Sequence, residues 1–300
     1  MAPMDATGMG LHGDLLRWYA VSARSLPWRA GATPWAILVC EVMGQQTPLA
    51  RVVPRWQEWM ARWPSPCDLA AAPQAEVLRA WDRMGYPRRA LNLHRCAVRV
   101  CDAGGELPRE ESALRDLPGI GAYTAAAVAA FAFGARTPVL DVNVRRVVAR
   151  LHGEAGPPSA SVTRAERARA ESLLPHDGSA ARLSEALMEL GALVCTPAPR
   201  CGECPVASHC GWLAAGRPPA SAPARRPQRW AGTDRQARGR ILAALREADV
   251  AWVAREVLLD RARVSEDPAQ PGRALESLVR DGLVSAGAGG YALGGDILPR

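Results

Sequence analysis

The chain has 300 residues, 48% of them hydrophobic and 22% charged, which is enough for two or three packed units and too apolar for a disordered chain. Its formal net charge of +7 favours a polyanionic partner. No uninterrupted apolar stretch reaches membrane-spanning length. The N-terminal MAPMDATGMGLHGD lacks the basic-then-apolar order of a signal peptide, so the chain is expected in the cytosol. All 37 basic residues are arginine. Tryptophan (10) far outnumbers phenylalanine (2), which fits core packing or base stacking.

Residues 1–10 are expected to be disordered. Residues 11–24 then place Leu11, Leu15, Trp18 and Tyr19 on one helical face. The turn LPWR sets Trp28 beside Arg29, and Pro34 suits the first turn of a second helix, PWAILVCEVMGQQT. Glu41 interrupts the apolar Ile37, Leu38 and Val42; on this stretch alone it reads as a solvent-facing carboxylate of an amphipathic helix. A helix carrying Trp56, Trp59 and Trp63 follows over 48–63, with another over 74–84. The turn MGYPRRALNLH leads into a helix through Val100.

A short helix after Pro108 and the Glu110–Glu111 pair runs into residues 117–146, LPGIGAYTAAAVAAFAFGARTPVLDVNVRR. Gly119 and Gly121 permit close backbone approach, and the next helix aims free N–H groups and its positive dipole end at the same place. That is a site suited to phosphate. The Ala-rich run from Thr124 to Phe133 reads as a buried helix. Asp141 supplies a fixed carboxylate beyond it. NVRRVVARL is helical, with Arg145 and Arg146 either solvated or on a nucleic-acid backbone. A Gly/Pro/Ser loop (153–161) precedes helices over 163–174 and 179–193. No alternating strand pattern occurs before residue 215, so this part reads as all-α.

The segment CTPAPRCGECPVASHC spaces Cys195, Cys201, Cys204 and Cys210 as C-x5-C-x2-C-x5-C. In a reducing compartment, four thiols this close point to a metal site rather than two disulfides. Four sulfurs satisfy either zinc or an iron–sulfur cluster, and spacing does not choose between them. Cys40, Cys67, Cys96 and Cys101 read as small hydrophobes. Residues 216–232 form a Pro/Ala/Arg linker. Beyond it, helices near 235–248, 251–260 and 269–281 are followed by two short extended runs in LVSAGAGGYAL. Three helices and a hairpin resemble a winged helix, for which DNA binding and packing are equally open roles.

Taken together, LPWR, EVMGQQT, MGYPRRALNLH, LPGIGAYTA, LDVNVRR, EALMELGALVC and the four-cysteine segment resemble the adenine DNA glycosylases (MutY) of the helix-hairpin-helix superfamily, whose sibling is endonuclease III. The resemblance spans residues 11–213. It implies an all-α, two-lobed glycosylase with an iron–sulfur cluster loop, plus a small winged-helix-like α+β domain at 233–300. The cluster-bearing lobe would comprise 11–28 and 134–215, and the six-helix barrel lobe 29–133. The implied ligands are a [4Fe–4S] cluster on the four cysteines and double-stranded DNA with a flipped-out adenine. The implied protein is a monomer in the bacterial cytoplasm, associated with the nucleoid.

The resemblance also implies residue roles. Glu41 would protonate the flipped adenine, its own proton retained through burial, while Asp141 faces the sugar and stabilises the oxocarbenium-like state. Tyr123 and Asn143 would stand beside the catalytic carboxylate. Trp28, Arg29 and Glu185 would surround the adenine. Gln46 would wedge into the duplex, Tyr86 would contact it, and Gly119 and Gly121 would grip a phosphate. Position 123 holds lysine in the bifunctional relatives, where it attacks the sugar as an amine. Tyr123 in a lysine-free chain leaves hydrolysis by water.

Gly44 stands where the family usually has leucine, and Pro87 where it often has a second tyrosine. The first cysteine gap is one residue shorter than usual. Residues 233–300 are too short and too helical for the Nudix-like domain many members carry. Two other functions compete: a thymine or uracil mismatch glycosylase, which Glu41 argues against, and a non-catalytic iron–sulfur DNA-binding protein, which the Glu41 and Asp141 pair argues against.

Overall fold

The computed structural model describes residues 10–155, 161–219 and 230–295. The expected disorder of residues 1–10 therefore lies outside the described residues, apart from Gly10. So do the middle of the 153–161 loop and most of the 216–232 linker.

Helix α1 (Leu11–Ser22) ends where Ala23 becomes extended. Pro34 opens α2 (Pro34–Gly44), where its missing N–H costs nothing. There follow α3 (Leu49–Arg62), α4 (Pro66–Ala70) and α5 (Gln74–Trp81). Ser65 and Asp68 cap α4 reciprocally. A 3₁₀ turn at Asp82–Met84 leads into α6 (Arg88–Asp102). The glycine turn lies between α7 (Glu111–Arg115) and α8 (Ala122–Phe133), and Gly134 ends α8 in the left-handed region. Next come α9 (Val142–Leu151), α10 (Arg164–Ser172), α11 (Ala180–Leu193) and α12 (Gly211–Ala214). The C-terminal segment has α13 (Asp234–Glu247), α14 (Arg255–Arg261), α15 (Gln270–Arg280) and the hairpin of β1 (Val284–Gly287) and β2 (Gly290–Leu293). Among the described residues no helix is long and apolar enough to cross a membrane.

The chain groups into two compact units. The first draws on Met1–Ile37, Pro108–Asp116 and Ile120–Arg225, the second on Leu38–Leu107, Leu117–Gly119 and Arg226–Arg300. In the first unit Leu15 and Tyr19 of α1 pack with Val144, Val147 and Val148 of α9 and Leu183, Leu187 and Leu190 of α11. Ala127 and Ala130 of α8 bury against Val139 and Met188. That packing groups α8 with this unit, whereas the expected lobes placed it with residues 29–107. Arg145 is buried and donates to the Glu166 carboxylate at 2.7 Å, a partner that its exposed-looking position in the sequence did not indicate.

In the second unit Trp56, Trp59, Trp63 and Trp81 are core. Trp59 meets Trp63 and Trp81 edge-on at centroid separations of 4.8 and 5.5 Å. Its indole N–H reaches the Ala80 carbonyl at 3.2 Å, so the polar end of a buried ring is satisfied. Cys67 and Cys101 correct their reading as small hydrophobes. Helix α4 packs on α6, bringing their Cα atoms to 5.0 Å, and the two form a disulfide. Thirty-four residues separate them in sequence, so spacing gave no sign of the pair. Cys40 and Cys96 remain buried thiols.

The C-terminal segment shows the expected order of three helices and a hairpin. Val284 pairs with Leu293 and Gly287 with Gly290, while Val253 bridges to Tyr291 as an added strand position. Trp252 lies over the hairpin, and a Cβ at Gly287 would stand 2.8 Å from its ring. The segment packs within the second unit: Arg246 donates to the Asp82 carbonyl at 3.0 Å, and Gly294 sits against the backbone of Ala75.

Arg89 holds two turns of that unit in place. One guanidinium nitrogen donates to the carbonyls of Val42, Met43 and Gln45, and the other to Thr47 Oγ1 and the carbonyls of Met84 and Gly85. Burial pushes its pKa down to about 10, so it stays charged at neutral pH. Arg89→Met strands those carbonyls and is expected to lower unfolding free energy by about 3 kcal/mol or more. Urea unfolding measures it; a change within the usual range for surface substitutions would show that the clamp is dispensable.

Candidate functional site

Asp141 is the N-cap of α9, its Oδ1 accepting from the Val144 N–H at 2.6 Å. Asn143 donates to Oδ2 at 3.1 Å, and Arg146 in turn donates to Asn143 Oδ1 at 2.8 Å. Burial pushes the Asp141 carboxyl up, and the N–H donors with the Arg146 charge only partly offset it, so the net position is above the ordinary aspartate value. The carboxylate is thus fixed in direction but not fully neutralised by a partner. Gly191 of α11 makes room for this cluster, since a Cβ there would stand 2.8 Å from Asn143 Cβ. Tyr123 is half-buried and packs on Ala127, Ala130 and Val139 in the same unit.

The same unit gathers a second set. Arg29 donates to Glu189 Oε2 at 2.6 Å and to the Arg24 carbonyl at 2.8 Å. Its guanidinium lies 5.4 Å from the Tyr19 ring centroid, and Tyr19 donates to Glu185 Oε2 at 2.9 Å. Arg29 and Glu185 are therefore joined through Tyr19, while Trp28 sits half-buried next to Arg29 in the turn. Glu189 has no exposed surface. Burial pushes its carboxyl up, but hydrogen bonds from Arg24 and Arg29 outweigh that and hold it below the usual range. Sequence reading missed Glu189, Tyr19 and Arg24. The available signal was a glutamate one turn after Glu185 inside the apolar EALMELGALV.

The four cysteines line one partly open cavity together with Arg150, Val194, Pro199, Ala207, Trp212 and Leu213. Burial, and then the neighbouring Cys195, Cys210 and Cys201, push the Cys204 thiol up to about 11. Four thiolates so placed need a positive centre among them. Among the described residues no group of His, Cys, Asp or Glu side chains is arranged for a single metal ion. Four sulfurs facing one cavity are a donor set that fits an iron–sulfur cluster. Arg150 reaches Cys195 Sγ at 3.3 Å and the Thr196 carbonyl at 2.8 Å, and Arg146 reaches the Cys195 carbonyl at 2.7 Å. Arg146, read as solvated or on a nucleic-acid backbone, instead connects the Asp141 cap to this loop.

In the second unit Glu41 is half-buried near the end of α2, with Cys40 and Val42 buried on either side. The fully solvent-facing reading of Glu41 does not hold. Nothing lies within 4 Å of where a Cβ at Gly44 would stand, so the missing leucine leaves open space. Gln46 and Tyr86 are exposed, with φ of 54° and 47°, a left-handed backbone unusual for either residue type. Arg89 grips carbonyls next to both. Gly119, at φ 77°, is required by close packing, because its Cβ would stand 2.5 Å from Asn92 Cβ. Gly121 caps α8 with ordinary φ and nothing within 4 Å, so the protein's own packing does not demand a glycine there.

Residues 39–171 match the family described as HhH-GPD superfamily base excision DNA repair protein. The adenine DNA glycosylase of Mycolicibacterium smegmatis is 50% identical over 297 residues, covering 94% of this chain and 96% of the relative. That of Mycobacterium tuberculosis is 51% identical over 297 residues, covering 94% and 93%. Among solved structures, a thermostable thymine-DNA glycosylase superposes with a TM-score of 0.63 at 28% identity, over 68% of this chain and 95% of that one. With half its residues identical to these relatives over nearly their whole length, the chain belongs to the adenine DNA glycosylase family of the helix-hairpin-helix superfamily.

Proposed function

We infer that the protein is an adenine DNA glycosylase of base excision repair, hydrolysing the N-glycosidic bond of adenine mispaired with 8-oxoguanine or guanine. The near-full-length likeness to adenine DNA glycosylases carries this reading. In it the protein works as a monomer in the bacterial cytoplasm on double-stranded DNA.

The chemistry divides between two carboxyl groups. Glu41 gives its proton to a ring nitrogen of the flipped adenine, so the C–N bond electrons leave into a neutral base rather than an anion. Breaking that bond leaves positive charge on the deoxyribose, which the ionised Asp141 stabilises. Water then adds to the sugar carbon and loses a proton, giving an abasic site. Asn143 and the Val144 N–H supply the hydrogen bonds that aim Asp141, and Tyr123 stands where the lyases carry their amine. With no lysine in the chain, strand cleavage through a lysine Schiff base is unavailable. Trp28, Arg29 and Glu185 bound the adenine. Gln46 and Tyr86 enter or flank the duplex from left-handed turns, and the open approach at Gly121 receives a phosphate.

Cys195, Cys201, Cys204 and Cys210 hold a [4Fe–4S] cluster in this reading. When bound, it supplies a positive centre that neutralises the four thiolates and ties their loop together.

The central test incubates purified protein with duplexes bearing adenine opposite 8-oxoguanine, thymine opposite guanine, or uracil, followed by hot alkali. Adenine-strand cleavage is expected; cleavage of only the thymine or uracil strands overturns the reading. In the same assay Glu41→Gln is expected to slow excision by at least about 100-fold while keeping DNA affinity.

Asn143→Ala tests the aim and charge of Asp141. The Asn143 N–H favours the ionised form, so its loss pushes the already raised carboxyl further up. The acidic limb of the single-turnover rate should then move to higher pH; a limb that stays in place or moves to lower pH counts against the assignment.

Iron, sulfide and visible absorbance report the cluster. Wild type should carry about four irons per chain, and Cys204→Ser should lose them. A colourless, zinc-containing wild type would refute the cluster.

A further inference from the structure

The N-terminal turn of α13 adds to Tyr86, already placed against the duplex, two groups that the site above does not use. The Arg235 guanidinium lies 4.5 Å from the Tyr86 ring centroid and 5.3 Å from that of Trp230. These are exposed groups: Tyr86 is 41% and Trp230 52% accessible, and Arg235 is exposed with them. The corner is built rather than loose. Thr233 Oγ1 donates to the Trp230 carbonyl at 2.8 Å, Gln236 Oε1 accepts from the Gly232 N–H at 2.8 Å, and the Trp230 ring lies beside Gly239. Arg83 and Arg88 flank Tyr86 on its own turn, both exposed. The nearest acid among their partners, Asp281, is 3.7 Å from Arg88 and 2.6 Å from Arg238.

Such a stack can simply fasten the C-terminal segment to the rest of its unit. That attachment already has less exposed fasteners: Arg246 on Asp82 and Gly294 against Ala75. What distinguishes the stack is its exposure. A guanidinium held between two rings keeps its N–H edge in solvent and loses little freedom when it binds an anion. Exposed rings beside arginines also form the mixed surface on which phosphates and bases are bound.

We propose that Tyr86, Arg235 and Trp230 form one composite contact for double-stranded DNA, with the C-terminal segment supplying the cation and the second ring. Arg235 takes a backbone phosphate, and the Tyr86 and Trp230 rings take exposed base or sugar surface beside it. This rests on the reading of the protein as a DNA glycosylase, and extends its DNA surface onto the C-terminal segment.

The test uses the full chain and a duplex in which a 2′-fluoro adenine nucleotide, resistant to glycosidic cleavage, lies opposite 8-oxoguanine. Affinity is measured across a salt series. Arg235→Ala is expected to weaken binding by about five- to thirtyfold and reduce the salt slope by about one. Trp230→Ala should weaken it by about tenfold with the slope unchanged. Arg240→Ala removes an exposed arginine from the same helix and should stay within about twofold, the size of a remote charge effect. Affinities within twofold of wild type for Arg235→Ala and Trp230→Ala overturn the proposal, as does an equal loss in Arg240→Ala. Lower melting temperature without lower affinity makes the stack a docking contact and also overturns it. Adenine release from the unmodified duplex is followed in parallel. If wild type releases none, the glycosylase reading fails on its own, and the binding series still judges the contact.

Discussion

The position of the Asp141 carboxylate depends on the guanidinium of Arg146. It donates to Asn143 Oδ1, the Gly191 carbonyl and the Cys195 carbonyl, at 2.7–2.8 Å in each case. The last carbonyls of a helix have no partner within it, and at the end of α11 an arginine from α9 satisfies two in that region. One side chain therefore joins a cap, a helix end and the cysteine loop. Order in the loop reaches the carboxylate through three hydrogen bonds, from Arg146 to the Cys195 carbonyl, from Arg146 to Asn143 and from Asn143 to Asp141.

Arginine does this repeatedly because its planar fork reaches several carbonyls at once, whereas an ammonium is a single point of charge. Arg89 clamps the ends of two turns, Arg150 the start of the cysteine loop, and Arg136 the Leu174 carbonyl at 2.9 Å. The net charge of +7 thus overstates what faces a polyanion, since several of these cations are engaged inside the protein. The exposed ones, including Arg83, Arg88 and Arg235, define where the field reaches outward.

Local order was the legible part of the sequence. Helical periodicity, Pro34 and the Ala-rich run located the elements closely, because each acts through neighbours within a turn or two. The cysteine spacing and the Gly119–Gly121 turn were legible for the same reason. The Cys67–Cys101 disulfide, the Glu189 anchor and the burial of Arg145 were not. Each depends on a partner far along the chain, and a glutamate inside EALMELGALV looks the same whether or not two arginines meet it. Tryptophan usage left core and stacking roles open; Trp59, Trp63 and Trp81 are core, while Trp230 stands at the surface. The packing of the C-terminal segment against the 82–86 turn was also illegible, since it is made by arginines rather than by an apolar stripe.

The approach of Gly191 to Asn143 has an evolutionary consequence. The hydrogen on Gly191 occupies the only space available, so any larger residue there collides with the backbone and side chain of the residue that aims Asp141. Change at the scaffold position and change at the functional position are therefore not independent. A lineage that keeps this carboxylate in use can enlarge position 191 only by moving α9 away from α11. That would pull apart Val144, Val147 and Leu187, which belong to the same core. The glycine acts as a historical lock: a position without chemistry of its own, closed to drift by the chemistry next to it.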